Sequence, residues 1–95
     1  MNYSLIPISV EWDEQKNQTN YAKHGIRFET AALVFADENR IEYYDEIHST
    51  EEDRYVVIGL VNHVLFVVYT MRKDTIRIIS ARLATRIERN IYYGN

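Results

Sequence analysis

The chain has 95 residues, 46% hydrophobic and 26% charged, the profile of one small globular domain rather than a disordered or multidomain chain. It contains no cysteine, so disulfides, thiolate metal sites and cysteine nucleophiles are excluded. No apolar run approaches the roughly 20 residues needed to cross a bilayer. Met1–Glu11 holds Pro7 but no basic n-region of the kind a signal peptide needs, so the expected location is the cytoplasm. The net charge is −3, and it is unevenly spread. Residues 1–53 hold 12 acids against 4 Lys/Arg, while residues 54–95 hold 2 acids against 7 Lys/Arg. A basic half on an acidic protein suits a polyanion site, because local field matters more than net charge. The competing reading is that the two halves neutralise each other across the fold.

Taken in order, Ile6, Ile8, Val10 and Trp12 alternate with polar residues and read as a short strand, placed at a sheet edge by Pro7, which cannot donate. Asp13 is a helix N-cap candidate, with Glu14 in the first turn. The mostly polar helix it starts, about 13–24, stops at Gly25. Phe28, Ala31, Ala32 and Phe35 follow at i, i+3, i+4 and i+7, one buried face of a second helix. Arg40–Asp45 is a strand candidate and Glu46–Asp53 an acidic loop.

Tyr55–Val61, Val64–Met71 and Thr75–Ala81 are rich in Val, Ile, Phe and Tyr and read as three strands. Asn62-His63 and Lys73-Asp74 are short enough for hairpin turns. Leu83, Ile87 and Ile91 form the apolar stripe of a last helix, about 83–93, with Gly94 as its stop. The order predicts a single α+β domain over 1–95, with a mostly antiparallel sheet.

Two-residue loops at both hairpins would set Tyr55 opposite Thr70. Arg54 would then share a sheet face with Tyr69, Met71, Ile76, Ile78 and Ser80, and with Arg82 if the strand continues, and Arg77 would lie on the other face. A three-residue loop at either turn would invert the second assignment.

Several stretches carry a resemblance. They are Glu11-Trp12-Asp13-Glu14, Lys16, Asn20, Lys23-His24-Gly25, Phe28-Glu29, Ala31-Ala32 and Val34-Phe35, then His48-Ser49, Glu51-Glu52-Asp53-Arg54 and Ile58-Gly59. The last and most specific runs from Val67-Val68-Tyr69-Thr70 through Arg72, Ile76–Arg82, Ala84, Arg86 and Glu88-Arg89 to Tyr92. In this order they resemble the BrnT family of toxins over nearly the whole chain. Asp53, Met71 and Leu83 depart from the family's usual residues. The resemblance implies a RelE-like fold, an endoribonuclease that shuts down translation, and a ribbon-helix-helix antitoxin, BrnA. Operator DNA would be met only through that antitoxin.

Metal-free RNA cleavage needs a base for the 2′-hydroxyl proton, an acid for the departing 5′-oxygen, and cationic donors for charge growing on phosphorus. Arg82, in the most specific motif, is the first candidate for phosphate contact, with an ion pair to Glu88 or a loop carboxylate as the alternative. Arg54 follows an acidic run and has a surface ion pair as its rival. Arg77, between Ile76 and Ile78, needs either a phosphate or a carboxylate partner. His48 is the acid–base candidate by residue type, or a structural loop histidine. Lys23 could reach RNA; with His24 it also suits the end of the first helix.

Arg72, Lys73, Arg86 and Arg89 are candidate RNA-backbone contacts or a solvated face. Tyr69 is a candidate for base stacking or for packing. His48 with Glu51 and Glu52 matches no zinc spacing, so neither metal nor cofactor is expected. A toxin-like interaction module without catalysis, acting in antitoxin binding and operon repression, is the alternative function. The antitoxin interface is expected to be apolar and basic, with the C-terminal helix and an uncovered part of the sheet contributing.

Overall fold

The computed structural model of the chain describes residues 9–94. The early part of the predicted first strand, Ile6 to Ile8 with Pro7, lies outside these residues. Its end is β1, Ser9–Glu11. Helix α1, Glu14–His24, is capped as the sequence predicts. The Asp13 carboxylate accepts from the N–H groups of Gln15 and Lys16 at 2.9 and 3.1 Å, and Gly25 ends the helix in the left-handed region at φ 73°.

This helix docks through amides rather than an apolar stripe. Asn17 accepts from the Phe28 N–H at 2.8 Å and donates to Glu29 at 2.8 Å. Asn20 accepts from the Ala81 N–H at 3.1 Å and donates to the Ala81 carbonyl at 2.8 Å. Asn20 thus satisfies a strand residue on both sides of its peptide group, as a neighbouring strand would.

Helix α2, Phe28–Ala31, tightens into a 3-10 segment, Ala32–Ala36. Three residues per turn rotate the inner face relative to an α-helix. Phe28, Ala31 and Val34 are fully buried, and Ala32, expected inside, is only half-buried. The segment lies against the next strands at Gly59, where a Cβ would stand 3.0 Å from the Val34 Cβ.

The strands β2 (Ile41–Tyr44), β3 (Tyr55–Val61), β4 (His63–Arg72) and β5 (Thr75–Leu83) complete a sheet that is five-stranded among the described residues, in the order β1-β5-β4-β3-β2. The β1 strand is indeed at an edge. It runs parallel to β5, while the other pairings are antiparallel, so the sheet is mixed. One face packs on α1, α2 and the 3-10 segment through Val57, Leu65, Val67, Tyr69, Ile76 and Ile78. On the other, Val56, Ile58, Val64 and Ala84 form a smaller core joined by Tyr92 of helix α3, Arg86–Tyr93. Leu83, expected to open that helix, is the last residue of β5. Thr85 caps α3 in a reciprocal capping box with Glu88.

Two register details differ from the sequence expectation. In the β3–β4 hairpin Asn62 alone forms the apex, at φ 62°, and Val61 pairs with His63. Tyr55 therefore lies opposite Tyr69, not Thr70. The β4–β5 turn at Lys73-Asp74 is as predicted, with Arg72 opposite Thr75, but a bulge follows: Tyr69 pairs with Ile78 and Val68 with Ser80, leaving Ile79 extra. Because side chains alternate with period two, each one-residue step moves everything beyond it to the opposite face.

Candidate functional site

The two register steps place Arg54, Arg77 and Arg82 on one face, the one that α3 partly covers. Thr70 pairs with Arg77. One step beyond the Tyr55–Tyr69 pair, the β3–β4 register sets Arg54 on the other side of Thr70, whose hydroxyl donates to the Asp53 carbonyl at 2.6 Å. Phe66 pairs with Arg82, and between these rows lie Tyr43, Val56, Val68 and Ser80. At normal strand spacing the backbones of Arg54 and Arg77 are about 10 Å apart, and Arg82 lies about 15 Å further along β5. The expectation that Arg54 and Arg82 share the face of Tyr69 is thus corrected. They join Arg77 instead.

Each arginine has a carboxylate partner of its own. Arg82 makes a two-pronged pair with Glu88 at 2.8 and 3.0 Å, and its guanidinium lies 4.1 Å over the Phe66 ring. Arg77 donates to Glu11 at 2.8 Å, so the basic C-terminal half is partly neutralised by the acidic N-terminal half. Arg54 is 4.0 Å from Glu52, a loose contact. Exposed pairs of the Arg54 kind contribute about 0–1 kcal/mol, so Glu52 holds Arg54 only weakly. The Arg82 pair is tighter because it is two-pronged. The Glu88 hydrogen bond raises the Arg82 guanidinium further above its ordinary value, against the effect of burial. Burial pushes the Glu88 carboxyl up, but hydrogen bonds from Arg82 and Thr85, and the Arg82 charge, outweigh it and hold Glu88 below its ordinary value.

The loop between β2 and β3 brings His48 to Arg54. Ser49 donates its hydroxyl to the Asp45 carbonyl at 2.6 Å and accepts from the Arg54 N–H at 2.8 Å, closing the loop at its base. Asp45 accepts from the His48 N–H at 3.3 Å and holds the ring Nδ1 at 2.9 Å. With Nδ1 occupied, Nε2 is the nitrogen left for chemistry. His48, Thr50, Glu51, Glu52 and Arg54 line a hollow of about 330 Å³. Among the described residues, no group of three or more His, Asp and Glu side chains is arranged to hold a metal ion.

Other candidates are placed elsewhere. Lys23 lines a separate groove of about 430 Å³ between α1 and β5, with Lys16, His24, Ile79 and Ser80. Arg72 shares the arginine face by register and is exposed near its end. Lys73 occupies the tight turn at φ 56°. Arg86 is exposed on α3, and Arg89 donates to the Ala84 carbonyl at 3.1 Å.

Tyr69 is not available to stack on a base. It is 6% exposed on the helix-covered face, stacked on Tyr55 with ring centroids 5.5 Å apart, and its hydroxyl donates to Glu42 at 2.5 Å.

The sequence reading missed two residues. Asp45 was legible as a carboxylate three positions before His48. Tyr43 was not, since only the pairing of β2 brings it to the arginine face. Burial raises the Tyr43 hydroxyl above its ordinary value, as do the Glu88 and Asp45 carboxylates, while Arg82 opposes. Tyr43 thus feels both the loop carrying His48 and the Arg82–Glu88 pair, and it stays protonated as a donor.

The site is thus a sheet face with arginines around an apolar and aromatic floor, beside a loop whose histidine is held by a carboxylate. The profile of the family described as "Ribonuclease toxin, BrnT, of type II toxin-antitoxin system" matches residues 12–88, and the chain belongs to that family. Among solved structures it is similar to the 1.1 Å crystal structure of the Brucella abortus ribonuclease toxin BrnT. The TM-score is 0.62 and the identity 27%, over 84% of this chain and 100% of that one. No curated protein matches. The family is one of ribonuclease toxins whose systems include a protein antitoxin. No helix among the described residues is long and apolar enough to cross a membrane.

Proposed function

We propose that this chain is a cytoplasmic, RelE-like endoribonuclease that cleaves RNA without a metal and thereby stops translation. A ribbon-helix-helix antitoxin of the BrnA type restrains it and carries the pair to operator DNA. The observation that carries this reading is the convergence of Arg54, Arg77 and Arg82 on one sheet face, brought about by the Asn62 apex and the Ile79 bulge. Arg54 and Arg77 flank Thr70 and hold the scissile phosphate; Arg82, over Phe66, takes a neighbouring one. The 2′-oxygen forms a bond to phosphorus and the bond from phosphorus to the 5′-oxygen breaks, leaving a 2′,3′-cyclic phosphate and a 5′-hydroxyl. His48 Nε2, with its ring fixed by Asp45, takes the 2′-hydroxyl proton or returns one to the 5′-oxygen. The arginines stabilise the charge that grows on the phosphoryl oxygens. Arg72 and Lys73 extend the cationic track at one end of the sheet, and Arg86 and Arg89 at the other. Lys23, in its own groove, contacts RNA beyond the cleavage point.

The test is incubation of purified protein with RNA in excess EDTA, followed by analysis of the ends. Cyclic phosphate and 5′-hydroxyl ends are expected. No cleavage, or 3′-hydroxyl ends, overturns the mechanism.

One observation favours the alternative of a non-catalytic module in antitoxin binding and operon repression: each of the three arginines already has a carboxylate within 4.0 Å. Expression without the antitoxin separates the readings. Growth arrest relieved by Arg77→Ala supports the enzyme, and unimpaired growth with the wild-type chain supports the module.

A further inference from the structure

A nucleobase stacks on an uncovered aromatic ring, and the exposed rings of this protein are mostly taken. Among the described residues, Tyr21 has the Arg27 guanidinium 4.0 Å over its ring. Tyr44 packs edge-on against Tyr55 at 5.6 Å and donates its hydroxyl to Asp53 at 3.0 Å. Tyr93 packs edge-on against Tyr92 at 5.0 Å. Phe66 is roofed by Arg82. On α3 the other large exposed side chains, Ile87 at 73% and Ile91 at 47%, are aliphatic. Tyr43 differs from all of these. It is 43% exposed, and among the described residues its ring has no aromatic or cationic partner and its hydroxyl no hydrogen bond.

Strand pairing sets the place of that ring. Side chains alternate along β2, so Tyr44 goes to the helix-covered side with Tyr55, and Tyr43, opposite Val56, goes to the arginine face. In register, Val56 continues to Val68 and Ser80. This row lies between the row of Arg54, Thr70 and Arg77 and the row of Ile58, Phe66 and Arg82. At ordinary strand spacing the Tyr43 backbone is about 8 Å from that of Arg54. RNA with one phosphate at Arg54 and Arg77 and another at Arg82 lays the sugar and base between them over Val56 and Val68, beside Tyr43.

We propose that Tyr43 is the base-binding residue of the site, its ring stacking on the nucleobase between the phosphate held by Arg54 and Arg77 and the one held by Arg82. This rests on the ribonuclease reading above and adds a binding contact to it; no proton or bond of the reaction runs through Tyr43. An aromatic ring on an open sheet face suits single-stranded RNA, whose unpaired bases are free to lie on it. Every base has a π-face, so the contact tolerates sequence and fixes where the strand sits rather than which base is read.

The experiment is binding of the purified chain to a short 2′-O-methyl RNA oligonucleotide, which lacks the attacking hydroxyl, and to an oligonucleotide of the same backbone and length made wholly of abasic nucleotides. Wild type, Tyr43→Phe and Tyr43→Leu are compared. Leucine still covers Val56 and Val68 but offers no ring, which separates stacking from packing. Wild type is expected to bind the base-bearing strand roughly 5- to 150-fold more tightly than the abasic one. Tyr43→Phe should keep that ratio. Tyr43→Leu should lose it while melting like wild type and binding the abasic strand as wild type does. A ratio retained in Tyr43→Leu overturns the proposal, as does an equal loss in Tyr43→Phe. So does a wild-type chain that binds both strands alike, a result that needs no variant to fold. Failure of wild type to cleave ordinary RNA removes the ribonuclease reading but leaves this comparison of affinities standing. Absence of binding to either strand overturns both.

Discussion

Asp45 holds His48 by both ends of its carboxylate, one oxygen on the backbone N–H and the other 2.9 Å from Nδ1. The ring is thereby oriented inside the loop whose base Ser49 closes and whose last residue is Arg54. This makes Asp45 a positioning residue for whatever Nε2 does. If His48 is the acid–base group, His48→Ala lowers the cleavage rate about 10²–10⁴-fold. Asp45→Asn preserves the shape but exchanges a charged acceptor for a neutral one. It should lower kcat with little change in KM, since the ring loses the charged acceptor that orients it. An unchanged kcat in Asp45→Asn assigns Asp45 to loop structure alone.

The arginines should separate by how firmly each is already engaged. Removing a donor to the transition state costs about 10²–10³ in rate, so Arg77→Ala and Arg54→Ala are each expected to fall in that range with native melting behaviour. Arg82→Ala has a second consequence, because Glu88 loses its two-pronged partner and α3 its tether. Its melting temperature should fall by several degrees, as about 1 kcal/mol corresponds to 4–8 °C in a domain of this size. Single-turnover cleavage measured beside thermal melts distinguishes the two effects.

The same pair sets a pH limit. Glu88 and Asp37 both titrate below their ordinary values of 4.5 and 3.8. For Asp37, burial opposes the shift, but hydrogen bonds from Tyr92 and from the Leu60 and Asn39 N–H groups, with the Arg40 charge, prevail. A depressed carboxyl stabilises the fold fully above its unfolded pKa and loses that stabilisation as pH falls through its folded pKa. Melting temperature should therefore be flat near neutrality and decline below about pH 4.5. Glu88→Gln should be less stable at pH 7 and show a shallower acid decline. An equally steep decline in the variant would remove Glu88 from this account.

Asn20 gives the largest expected effect on stability. Its amide satisfies both backbone groups of Ala81 and the Ile26 carbonyl at 2.9 Å. Asn20→Leu leaves these groups unpaired under α1, at about 1–3 kcal/mol for each buried one. The variant should lose at least about 2 kcal/mol in urea unfolding. Asn20→Asp should retain the Ala81 N–H contact and lose the donor half.

Local chemistry was readable from the residues. Asp13 and Gly25 bound α1 as foreseen, Gly94 ends α3, and β3 spans the predicted Tyr55–Val61. These depend on caps, turn residues and apolar runs, which act within a few positions of the chain. The family was also legible, because its motifs are residue identities in a fixed order.

The candidate site was legible by residue type but not by place. The sequence contains Arg54, Arg77 and Arg82; it does not contain the side of the sheet on which each emerges. That was decided by an apex of one residue at Asn62 and one extra residue at Ile79. Both are outcomes of packing across strands. A strand rich in apolar residues on both faces gives no alternation to forbid a shifted register. Tyr69 went to the core and Ile87 to solvent for the same reason: burial belongs to the assembled layers, and a stripe of apolar residues does not say which side of it will be covered.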